Sequence, residues 1–190
     1  MKKIVTLGLE NLITSPPEHL KTKRLGLLSN PASVDSQLNH AAQLIHKNFP
    51  GQLKALFSPQ HGFYAEKQDN MIESNHIMEP ELNIPVYSLY SNTRIPTKTM
   101  FDKIDVLLID IQDVGTRVYT FIYTVSYCLE IAAKLKKQVI ILDRPNPIGG
   151  TQIEGNILSK DYTSFVGRFP IPMRHGMTIG EISQFFNNQF

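Results

Sequence analysis

Residues 104–116, IDVLLIDIQDVGT, decide how the rest of the chain is read. Val106 to Ile109 is a short, unbroken apolar run rich in branched side chains, as in a strand buried on both faces. It runs into Asp110, Gln112 and Asp113, then Gly115 and Thr116. From there Val118, Phe121, Ile122, Val125, Leu129, Ala132 and Leu135 recur at helical spacing, which predicts a helix from Thr116 to about Lys136. The unit is strand, polar turn, helix. In an open parallel sheet the turn beyond a strand's carboxyl end is where ligands are handled.

The same unit repeats on either side. Arg24–Ser29, Leu53–Phe57, Pro85–Leu89 and Val139–Leu142 read as further strands. Asp35 or Ser36 is placed to cap a helix carrying Leu38, Ala41, Ala42, Ile45 and Phe49 on one face. Thr178 and Glu181 form a capping box, with Met177 and Ile182 as its hydrophobic staple. Residues 1–20 read as an approach segment in which Pro16-Pro17 discourages a long helix. Residues 58–81 read as one long polar loop, too rich in His and Tyr for a plain linker. Strands alternating with helix-length segments give an α/β fold: a Rossmann-like open, mostly parallel sheet flanked by helices.

Composition narrows the function. Hydrophobic content of 42% with 19% charged residues is that of a globular protein with a sizeable core. A net charge of +2, with Lys and Arg scattered, gives no footprint for nucleic acid. No apolar run approaches membrane-spanning length. Glu10 and Asn11 cut short the only leader-like run, so the expected location is cytoplasmic. A single cysteine, Cys128, lies beside the helical stripe and reads as a packed thiol.

If the sheet is parallel, four strand ends bring polar groups to one rim: Asn30, then Gln60 and His61, then Asp110, Gln112 and Asp113, then Asp143 and Arg144. No G-x-G-x-x-G or P-loop is present, so no nucleotide cofactor is expected. Gly149-Gly150 reads as a turn, while Gly115 at the start of the expected helix could offer N–H groups to an anion. Arg117 in a first helical turn opposes the helix dipole, so it should serve a group outside the helix, either Asp113 or a ligand carboxylate. His61, Asp110, Asp113 and His175 are metal-binding types, but no ligand spacing supports them and no metal is expected. There is no G-x-S-x-G elbow. Paired carboxylates remain, with Glu66, Glu73, Asp110, Asp113 and Glu154 as candidates for acid–base chemistry. Glu73 reads as a solvated surface group.

Six segments in order, GLLSNPASVD, LFSPQHGF, IDVLLIDIQDVGTRVYTF, VIILDRPNPIGG, IEGNIL and SFVGRFPIPMRHGMTIGE, resemble the bacterial exo-β-N-acetylmuramidase family, long known as a domain of unknown function. The resemblance implies hydrolysis of terminal β-linked N-acetylmuramic acid from peptidoglycan fragments, with neither metal nor nucleotide. It implies that residues 1–190 are a single Rossmann-like domain, the front part of a longer architecture whose smaller C-terminal lobe is absent. It makes a muramic acid sugar or muropeptide the expected partner, gripped through its lactyl carboxylate by Arg117 or Arg174. The family commonly carries P-E-H-G where this chain has Pro59-Gln60-His61-Gly62, and Gln60 cannot act as a carboxylic acid. Glu66 and Glu154 are then the expected acid–base pair, with His61 beside them. Asn30, Gln60, Asp110, Gln112, Asp113, Tyr119, Asp143, Arg144, Asn146 and His175 are expected to shape the pocket. Two other readings stay open: a non-catalytic sugar-binding module, and a metal-dependent hydrolase on the same rim.

Overall fold

The computed structural model describes residues 5–65, 73 and 75–190. Six strands form one sheet: β1 (Leu25–Ser29), β2 (Leu53–Ser58), β3 (Ile77–Glu79), β4 (Ile84–Ser88), β5 (Val106–Asp110) and β6 (Gln138–Ile141). Their spatial order is β3-β4-β2-β1-β5-β6. All neighbours are parallel except β3, which runs antiparallel along β4. Helices α1 (Gly8–Thr14), α2 (Ala41–Asn48), α3 (Lys98–Phe101), α4 (Phe121–Lys134) and α5 (Ile179–Gln189) complete the fold. The α/β fold read from the sequence is the fold observed.

Strand periodicity divides the core in two. Leu28, Phe57, Leu107 and Ile109 pack with α3, α4 and α5. Leu25, Leu27, Leu56, Val106 and Leu108 pack with α1 and α2. Successive residues of β1 and β5 thus alternate between the two layers, which is why the central strands read as continuous apolar runs. Gly26 in β1 has a structural reason: a Cβ there would meet Ile104 at 2.8 Å and Phe57 at 3.0 Å. The chain moves outward from β1 through β2 to β4, then returns to the other side of β1 for β5 and β6. The junction of β1 and β5 is therefore the switch point, where a crevice opens beyond the strand ends.

Three local expectations are corrected. The helix after β5 begins at Phe121, with Thr120 as its N-cap, five residues later than periodicity predicts. The reason is competition for backbone groups: Thr116 bridges Arg174, and Arg117 N donates to Met173 O at 2.7 Å. Asp35 caps no helix, because its carboxylate accepts from the N–H groups of Gln37 and Asn39 and holds a turn with Leu38 at φ 65° and 81% exposed. The segment read as one loop over 58–81 contains β3, an edge strand whose partner β4 orders it from outside.

His40 caps α2 instead: its Nδ1 accepts from Ala42 N at 3.2 Å, and Nε2 meets Asn30 O at 3.1 Å. With Nδ1 accepting, the proton sits on Nε2, and the ring is neutral. Burial pushes the His40 imidazolium below its ordinary 6.5, against the Asn30 carbonyl and Asp110, which favour the charged form. The unfolded chain then takes up this proton first as pH falls, so the contribution is intact above about 6.5 and shrinks below it. Urea titrations at pH 7.5 and 5 should show a smaller loss in His40→Asn, which keeps a cap without a titrating ring. Equal losses in both proteins would remove His40 from the account.

Candidate active site

The strand ends do converge, but most of their polar residues form a frame. Asn30 faces the Gln112 backbone, accepting from its N–H and donating to its carbonyl, both at 3.4 Å, which ties β1 to β5 at the switch point. Gln112 Nε2 continues the tie to Asp113 O at 2.6 Å and Pro145 O at 3.4 Å. Asp110 and Arg144 form a buried two-pronged ion pair, Nε–Oδ1 2.5 Å and Nη2–Oδ2 2.9 Å. Burial pushes the Asp110 carboxyl above the usual carboxylate range, and Arg144 opposes the shift.

Asp143 accepts from Gly180 N at 2.8 Å and Thr178 Oγ1 at 2.7 Å, placing its charge on the N-terminus of α5. The capping box at Thr178 and Glu181 forms as the sequence reads. Asn146 accepts from Ile148 N and donates to Met177 O at 2.9 Å, which closes the turn before Gly149 and Gly150. Gly115, at φ 79°, donates to Asp113 Oδ2 at 2.7 Å rather than to a ligand, and no helix starts there.

Arg117 is 6% exposed, and its Nη1 donates to Asn156 O at 2.7 Å and Ile171 O at 2.8 Å. Arg117 precedes α4 rather than opening it, and the groups it serves are backbone carbonyls rather than a carboxylate. His175 Nε2 lies 3.3 Å from Asp113 Oδ2, and its Nδ1 accepts from Met177 N at 3.3 Å. Arg174 pairs with Glu154 at 3.2 Å and also donates to Ile148 O. Glu154 and Arg174 bridge backbone to backbone beside Thr116, with the Glu154 side chain largely exposed.

The open part of the rim is smaller. Two adjoining hollows, of about 610 and 360 Å³, share Gln60, His61, Tyr119 and Phe121. Asn30 and Gly62 border the smaller one; Tyr90, Arg94, Thr120 and Phe165 border the larger. His61 adopts φ 78° and Gly62 φ 82°, so the loop after β2 turns through left-handed backbone where it meets the cleft. For a histidine this is an uncommon conformation that the surrounding structure must enforce. Gln60 Oε1 accepts from Thr120 Oγ1 at 3.1 Å, linking the β2 loop to the start of α4. Burial and the Asp113 charge push the Tyr119 hydroxyl up, so it remains a hydrogen-bond donor at neutral pH.

Of the sequence-derived candidates, Asn30, Gln60, His61 and Tyr119 border the cleft; Asp110, Gln112, Asp113, Arg117, Asp143, Arg144, Asn146 and His175 build its frame. Glu66 lies outside the described residues. No described Asp or Glu borders either hollow. Among the described residues, no three His, Cys, Asp or Glu side chains form a group that could hold a metal. Sequence reading missed Tyr90, Arg94 and Phe165. Tyr90 carried a signal, since it lies two residues past β4 as Gln60 lies two past β2; Phe165 reaches the cleft only through the tertiary fold.

Residues 25–190 match the family model described as exo-beta-N-acetylmuramidase NamZ, N-terminal. The chain belongs to this family. It is 45% identical over 189 residues to the peptidoglycan beta-N-acetylmuramidase NamZ of Bacillus subtilis strain 168, covering 100% of this chain and 45% of that protein. A crystal structure of a DUF1343 family protein from Bacteroides fragilis NCTC 9343 matches with TM-score 0.85 and 41% identity, over 97% of this chain and 46% of that one. A second DUF1343 structure from the same organism matches with TM-score 0.81 and 34% identity, over 98% and 48%. The chain therefore spans about half the length of these relatives. No helix among the described residues is long and apolar enough to cross a membrane.

Proposed function

We propose that this chain carries the sugar-binding front of a glycoside hydrolase that releases terminal β-linked N-acetylmuramic acid from peptidoglycan fragments. One observation supports this above others: similarity to a peptidoglycan β-N-acetylmuramidase runs through the whole chain, the cleft-bordering segments included. The cleft suits a sugar. It is bordered by aromatic rings that can stack on a pyranose and by amides and hydroxyls that can bind its ring substituents.

The chemistry needs one carboxylic acid to protonate the leaving oxygen and one carboxylate to assist attack at the anomeric carbon. Glu66 and Glu154 are assigned these roles in the proposal, since Gln60 holds the position where the family commonly has Glu; Glu154 pairs with Arg174 outside both hollows, so its role requires the substrate to reach beyond them. A cytoplasmic location is part of the same reading; cell fractionation checks it.

Release of muramic acid from a chromogenic β-N-acetylmuraminide tests the reaction, with sugar binding to the chain measured in parallel. Turnover that survives chelator is the expected result. Binding without turnover would favour a sugar-binding module, and turnover abolished by chelator a metal-dependent hydrolase. Neither binding nor turnover would end the proposal.

A further inference from the structure

The cleft contains a cation that sequence reading did not select. The chain has six arginines. Arg24 pairs with Asp105, Arg144 with Asp110, Arg168 with Glu130 and Arg174 with Glu154. Arg117 is buried on backbone carbonyls. Arg94 alone both borders the cleft and has no carboxylate partner among the described residues.

Arg94 is nevertheless held. Its guanidinium lies 4.4 Å from the ring centre of Phe165 and 4.9 Å from that of Tyr90, and Nη2 is 3.4 Å from the Tyr90 hydroxyl. The two rings are 5.7 Å apart. Cation–π contact anchors the plane of the guanidinium without consuming its donors, apart from the one turned to Tyr90. An arginine so placed offers a rigid fork whose geometry matches a carboxylate in two-pronged fashion. Among the described residues, no other lysine or arginine borders either hollow.

We infer that Arg94, held by Tyr90 and Phe165, is the specificity-determining residue that binds the carboxylate of an acidic amino sugar in this cleft. The inference rests on the muramic acid reading and assigns to Arg94 the contact that sequence had given to Arg117 or Arg174. It accounts for a charged group on an aromatic wall of a cleft whose other described lining is neutral apart from one histidine.

Calorimetric titration of the chain with methyl β-N-acetylmuraminide, its lactyl methyl ester and methyl β-N-acetylglucosaminide tests it. The native chain should prefer the free acid to the ester by about tenfold or more, the scale of a charge-assisted hydrogen bond. Arg94→Gln should bind acid and ester equally and keep its affinity for the glucosaminide, with an unchanged thermal midpoint. Arg94→Lys, which keeps charge but loses the fork, should fall between.

A preference that persists in Arg94→Gln would overturn the assignment and leave the muramic acid reading intact. Equal binding of acid and ester by the native chain would do the same. Failure of the native chain to bind any of the three sugars would instead remove the reading on which the assignment rests.

Discussion

Arg144→Met is expected to lower the free energy of unfolding by about 3–5 kcal/mol, the cost of leaving a buried charge without its partner. Asp110 is fully buried at the end of β5, and Arg144 meets both of its oxygens. Arg144 Nη2 also donates to Val34 O at 2.9 Å, so the same guanidinium ties the turn after β1 to the end of β6. Urea denaturation near neutral pH measures the loss. Its pH dependence identifies the cause. Burial already pushes the Asp110 carboxyl up in the native protein. Without Arg144 the opposing interaction is gone, so the folded variant should take up a proton well before the unfolded chain does. Acidification should therefore narrow the gap between variant and native protein. Asp110→Leu combined with Arg144→Met should recover much of the loss, because well-packed apolar groups can replace a buried ion pair. A single variant within 1 kcal/mol of the native protein at neutral pH would show that the pair does not hold the strand ends together.

Glu154→Gln is expected to reduce turnover of a chromogenic β-N-acetylmuraminide by a factor of about 100 to 10,000, the usual range for removing a positioned acid–base group. The substitution is nearly isosteric, and the Glu154 side chain is largely exposed, so the fold should hold. The backbone bridge between Glu154 and Arg174 is unaffected by it. Affinity for the sugar should change much less than turnover, because the proposed role is chemical rather than adhesive. Thermal midpoints within a degree or two of the native protein separate lost chemistry from lost structure. Turnover within twofold of native would strike Glu154 from the proposal and leave Glu66 as the carboxylate to test.

Where sequence reading succeeded and failed follows from the range of the interactions involved. The run from Val106 to Ile109 forms a buried strand because burial on both faces demands apolar residues without a break. Thr178 and Glu181 cap α5 because that motif closes on itself within four residues. The start of α4 lies later than periodicity predicts because Thr116 and Arg117 give their backbone groups to residues 173 and 174, more than 50 positions away. Asp35 caps no helix because the N–H groups of Gln37 and Asn39 occupy its carboxylate, and His40 caps α2 with its ring fixed from the far side by Asn30 O.

The site shows the same division. Sequence placed polar residues at the strand ends, and in the fold they gather at one end of a parallel sheet. It did not say which would face a ligand. Asp110, Asp143, Arg144 and Arg117 are spent on one another, on a helix terminus and on carbonyls, since charged groups out of water must find partners. What the amino-acid order determined alone was the layering: strand, turn and helix, with chemistry at the strand ends. Only the tertiary structure decided which of those side chains stay open to a sugar, because that depends on which long-range partner reaches each one first.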